Sequence, residues 1–123
     1  KRVAKDPDLK NLMTVGDAAR AVGGKGMVDV SILFYNEARG TGLFSGDLLW
    51  NLAHAYMDKY NEGKDRTSLD NAITVMGEFE KQARNHPLFP EAGRKARAWE
   101  ALRSTRSRDE ADLFTDTAIR RVP

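Results

Sequence analysis

The sequence predicts an all-α protein of about six antiparallel helices, and three observations carry that expectation. Apolar residues recur at three- and four-residue steps along most of the 123 residues, the spacing that lines up one face of a helix. Glycine, proline and polar clusters interrupt this pattern at short intervals. No connection between the periodic stretches is long, so successive helices should lie antiparallel, as three helical hairpins.

Residues 1–8 read as a polar N-terminal tail and 9–123 as a single helical domain. Asp8 is placed to cap a first helix over 9–22, because a carboxylate accepts hydrogen bonds from free first-turn amides. Leu9, Leu12, Ala19 and Val22 form its apolar stripe, and Gly23-Gly24 ends it. The second stretch, 27–39, carries two periods. Val28, Val30, Ile32 and Phe34 alternate with Asp29, Ser31 and Leu33, as in a strand, and the β-branched content agrees. Yet Tyr35 and Ala38 extend a helical face from Ile32, and Asn36-Glu37-Ala38-Arg39 continues without a turn signal. The expectation is a helix, apolar on two sides and central in the fold.

Gly40-Thr41-Gly42 breaks the chain, and Ser45 caps a third helix over 46–60 with a stripe of Leu49, Leu52, Ala53, Tyr56 and Tyr60. A polar loop follows over 61–66. Thr67 or Ser68 then caps a fourth helix over 69–85, whose stripe is Leu69, Ala72, Ile73, Met76, Phe79 and Ala83. His86-Pro87-Leu88-Phe89-Pro90 is an extended connector, since each proline disfavours helix in the residue before it. Pro90 suits the first turn of a fifth helix over 91–104, with Ala92, Ala96, Trp99 and Leu102 inward. Ser107 caps a sixth over 108–121. Acidic Asp109, Glu110 and Asp112 at its start and Arg120 and Arg121 at its end complement the helix dipole.

Composition excludes several classes. A hydrophobic fraction of 41% against 31% charged is too apolar for a disordered chain. The longest apolar run, Ile32-Leu33-Phe34-Tyr35, is far short of the ~18 residues of a membrane span. With no cysteine, neither a disulfide framework nor a thiolate metal site can form, which suits an intracellular protein. The chain opens at Lys1 rather than Met, as in an excised domain or a processed protein.

Motifs for chemistry are sparse. His54 and Asp58, four apart on one helix, offer two metal ligands, but the only other histidine is His86, far along the chain. A salt-bridged or solvated pair is the expectation, with no metal and no cofactor. Gly23-Gly24-Lys25-Gly26 precedes a helix, where amides and a lysine can hold phosphate. The Walker pattern, however, requires Ser or Thr after the lysine, and Gly26 stands there, so a tight turn is expected. No carboxylate pair lies in an apolar motif, and no Gly-x-Ser-x-Gly occurs. The sequence therefore gives no ground to expect an enzyme. Net charge is +2, but 94–108 holds Arg94, Lys95, Arg97, Arg103, Arg106 and Arg108 against the single acid Glu100. Such a run is either a solvated helix face or a patch for phosphate or an acidic surface.

Leu49, Leu52, Ala53 and Tyr56 fall at the spacing of the first-helix motif of a tetratricopeptide-type repeat, which the chain resembles. Ala18, Ala19 and Val22, then Ser31, Tyr35 and Ala38, fit both halves of one unit within 12–45. Ala111, Thr115, Ala118 and Pro123 fit the second half of another. The segment 33–47 is also similar to a junction between pentatricopeptide-type units. The first resemblance implies a stacked array that binds protein or peptide, the second implies RNA binding. An irregular helical bundle remains the alternative architecture. The functional expectation is a protein-interaction or assembly subunit, with Trp50, Tyr56, Arg94, Arg97 and Arg103 as contact residues. The alternative is a nucleic-acid-binding module using the basic 94–108 segment.

Overall fold

The described residues form five helices, rather than six: α1 (Asp6–Val22), α2 (Lys25–Arg39), α3 (Gly46–Gly63), α4 (Arg66–Gln82) and α5 (Phe89–Arg120). The computed structural model describes residues 6–120, and side chains over 7–106. Among the described residues there is no strand. The fifth and sixth expected helices are one. Ser104-Thr105-Arg106-Ser107 contains neither glycine nor proline, so nothing ends the helix, and serine tolerates a helix interior at small cost. The third hairpin therefore does not form. Side chains of Ala111, Thr115 and Ala118 lie outside those described, as does Pro123.

The stretch with two periods is helical. In α2 the buried positions Val28, Ser31, Tyr35 and Ala38 follow one another at steps of three and four. Leu33 on the opposite side is 57% exposed, so α2 buries one face and is not central. That place belongs to α3, which buries Leu48, Leu49, Leu52, Ala53, Ala55, Met57 and Tyr60 around most of its circumference.

Local chemistry sets the boundaries. α1 starts at Asp6, so Asp8 lies inside its first turn instead of capping it. Positive φ angles at Gly23 and Gly24 turn the chain into α2. Ser45 Oγ accepts the amide of Leu48 at 3.1 Å, the expected cap of α3. α3 runs three residues past the expected end, to Gly63, and Lys64 closes it in a left-handed conformation. The cap of α4 is Asp65, not Thr67 or Ser68. Its Oδ1 accepts the amide of Thr67 at 3.2 Å, and its Oδ2 accepts the hydroxyl of Ser68 at 2.8 Å. A carboxylate reaches both donors at once, which a hydroxyl cannot.

Each helix packs on its neighbours in the chain, and α1 also touches α3. Side chains extend this into two layers. Asp17 and Arg20 of α1 reach Asn51 and Asp58 of α3, and Lys95 and Trp99 of α5 reach Trp50 and His54 of α3. These contacts advance in step along the partners, so α1, α3 and α5 run parallel on one side. Across the other side Arg39 of α2 bonds Glu78 of α4. Between the layers lies the core, centred on Tyr35, Leu48, Leu52, Leu69, Met76 and Phe79. Val22, expected inside, is 73% exposed at the end of α1. Leu102 is 37% exposed where α5 reaches the first turns of α4. No helix among the described residues is long and apolar enough to cross a membrane.

Tyr35 fixes how α1 meets α2. A Cβ at Gly16 would stand 2.6 Å from Tyr35 Cε1, while a Cβ at Gly77 in α4 would meet nothing within 4 Å. Gly16→Ala should therefore cost about 1–3 kcal/mol by overpacking. Gly77→Ala should add about 0.5–1 kcal/mol through the backbone entropy of the unfolded chain. Urea denaturation of the two variants checks the opposite signs.

Candidate interaction face

The layer of α1, α3 and α5 borders a polar cleft and a cluster of aromatic rings. At one end a cleft of about 430 Å³ opens between α1, α2 and α3, lined by Asp17, Arg20, Ala21, Tyr35, Asn51 and Asp58. The Tyr35 ring is fully buried, and its hydroxyl cannot be left without a partner. It donates to Asp17 Oδ1. Asn51 Nδ2 donates to the same oxygen at 3.1 Å. Beside them Arg20 Nε donates to Asp58 Oδ2 at 2.7 Å. Burial, with the Asp17 hydrogen bond and charge behind it, pushes the Tyr35 phenol well above its ordinary value of 10.0.

Next to it a run of rings passes from this layer through the core. Trp50 and His54 are 4.6 Å apart, Trp50 and Phe79 5.2 Å, His54 and Trp99 5.3 Å, and Phe79 and His86 5.1 Å between centroids. Trp99 is core, as its place on the inward stripe implies. Half-buried Trp50 packs within its own hairpin on Phe79 and lies under Lys95 Nζ at 5.9 Å. His54 Nδ1 bonds the Trp50 carbonyl at 2.9 Å. Burial, reinforced by the charges of Lys95 and Arg20, lowers the His54 pKa.

The expected contact residues are scattered. Tyr56 is half-buried and its hydroxyl accepts Asn36 Nδ2 at 3.1 Å, between α3 and α2. Arg103 Nη1 donates to Asp70 Oδ1 at 3.3 Å. Arg106 lies over the Tyr60 ring at 5.7 Å. Arg94 and Arg97 are exposed on α5. Much of the basic run is thus engaged within the molecule. The pairing of His54 with Asp58 is likewise absent, because each is bonded elsewhere, and no group of three metal-ligating side chains converges among the described residues. Lys25 of the glycine-rich stretch is simply the exposed first residue of α2.

Sequence reasoning missed the cleft. Asp17, Arg20 and Asn51 look like ordinary surface residues, and only packing unites them. Asp17 and Asn51 stand 34 residues apart, too far for a local motif to join them. No protein-family model, curated protein or solved structure matches the chain. The functional reading therefore rests on geometry.

Two pH effects follow. Burial lowers the folded pKa of His54, so its contribution to stability is complete above the unfolded value, about 6.5, and is lost as pH falls from there through the folded value. An NMR titration of the ring should give a midpoint below 6.5; one at or above that value contradicts the burial account. Tyr35→Phe should cost about 0.5–1.5 kcal/mol near neutral pH. The deficit should shrink above pH ~10, where unfolded but not folded Tyr35 ionises and the parent chain loses stability. Denaturation midpoints of both chains between neutral and alkaline pH check this.

Proposed function

We infer that this chain is an interaction or assembly subunit that presents its odd-numbered helices to a protein or peptide partner and performs no catalysis itself. One observation carries the reading: α1, α3 and α5 lie on one side of the molecule, where an open polar cleft lined by α1, α2 and α3 stands near half-buried Trp50 of α3. The Asp17–Asn51 link supports it, since its 34-residue separation equals the unit length of a tetratricopeptide-type array. On this reading α1–α2 and α3–α4 are two stacked hairpins and α5 closes the stack.

Trp50, Tyr56, Arg94, Arg97 and Arg103 are the expected contacts. Arg94 and Arg97 are the strongest of these, being exposed on the same layer as the cleft. Arg103 would first have to leave Asp70. The nucleic-acid alternative is weakened by the engagement of Lys95 with Trp50, Arg103 with Asp70 and Arg106 with Tyr60. Phosphate binding draws on free cations.

The test is recovery of the tagged chain from its native cells, beside a variant carrying Arg94→Glu and Arg97→Glu. A stoichiometric protein partner should accompany the parent chain, survive nuclease treatment and be lost or depleted from the variant. Recovery of the parent as a lone monomer sinks the proposal. Filter binding to single-stranded RNA should show little retention even at low salt; tight retention with a steep salt slope would favour the alternative.

A further inference from the structure

The geometry points to the cleft between α1, α2 and α3 as a receptor for a basic side chain, lysine or arginine, of a partner polypeptide. This inference deepens the interaction reading and rests on it.

Charge comes first. The cleft wall holds two carboxylates, Asp17 and Asp58, against one guanidinium, Arg20. Arg20 is bonded to Asp58. Among the described residues Asp17 is held by neutral donors, the Tyr35 hydroxyl and the Asn51 amide. Its negative charge therefore has no ion pair of its own there. Both donors meet a single oxygen, Oδ1, so Oδ2 keeps its lone pairs for an incoming donor. Asp58 likewise uses only Oδ2 on Arg20 and keeps Oδ1. Position adds to this. Arg20 and Ala21 lie in the last turn of α1, where free carbonyls carry the negative end of the helix dipole.

Rigidity comes second. Asp17 is tied to α2 through a fully buried tyrosine and to α3 through Asn51. Its carboxylate is thus oriented before any ligand arrives, which lowers the entropy cost of binding. Other ligand classes fit less well. A metal ion requires three converging ligands, and no such group occurs among the described residues. An anion would have only Arg20 to meet, flanked by two carboxylates.

The experiment uses the whole chain and small probes, followed by amide NMR at Ala21 and the Asn51 side chain. N-acetyl-arginine amide and N-acetyl-lysine amide should give saturable shifts there, weakening with added salt. N-acetyl-glutamate and inorganic phosphate should not. Asp17→Asn keeps a carbonyl oxygen for Tyr35 and should weaken the basic probes roughly fivefold, the scale of a partly exposed ion pair. Asp58→Asn, which leaves the Tyr35 contact intact, is the second variant should the first unfold, and it should weaken them similarly. Absence of saturable shifts, tighter binding of the anionic probes, or unchanged affinity in a folded variant overturns the proposal. A silent cleft in a chain that still recovers its partner removes this site alone. A cleft that binds arginine in a chain recovered alone keeps the site and removes the assembly reading.

Discussion

Everything about the first hairpin depends on where one phenol goes. The Tyr35 ring is closed off from water by its own hairpin, lying against the bare backbone of Gly16. Its hydroxyl must then find an acceptor inside the protein, because a buried hydroxyl without one is costly. Asp17, the residue after that glycine, supplies it. These two demands on adjacent residues fix both the depth and the rotation of α1 on α2. Once α1 is set, Arg20 one turn further on faces Asp58, and Asn51 reaches Asp17. Core packing and the polar cleft are consequently one piece of construction.

A second histidine shows the same economy at the other end of the molecule. His86 Nδ1 accepts the Leu88 amide at 3.0 Å, so the ring proton sits on Nε2, which is 2.6 Å from Asp47 Oδ1. Its ring lies over Gly46, where a Cβ would come within 2.8 Å of Cδ2. One imidazole thereby shapes the turn into α5, caps the Phe79 ring and ties the start of α3 to the end of α4. Glycine is required at 46, as at 16, because an aromatic ring occupies the space a side chain would need.

The helical class, the Ser45 cap and the stripes of α3 and α4 were legible in the sequence, because buried positions there are both apolar and regularly spaced. The alternation from Val28 to Phe34 misleads only if each residue is read as inside or outside; Ser31, fully buried, is polar because its hydroxyl bonds the Val28 carbonyl. The break expected near Ser104 rested on cap-forming residue types alone, and a cap needs a preceding stop. The site was far less legible. Periodicity reports on apolar burial, whereas Asp17, Arg20, Asn51 and Asp58 are polar residues from two helices that meet only through the packing of α1 against α3. The basic run was visible, but its internal partners Trp50, Asp70 and Tyr60 lie on other helices.

The order in which helices touch also governs how the molecule assembles in time. Since each helix packs chiefly on those before and after it in the chain, most loops that must close are short and their entropic cost is small. Low contact order of this kind goes with folding in microseconds to milliseconds. Protection against hydrogen exchange should be greatest in α3 and α4, which hold most of the buried side chains, and should decline toward α1 and α5. The layer of α1, α3 and α5 is then built from one slow-exchanging rod flanked by two that open more readily.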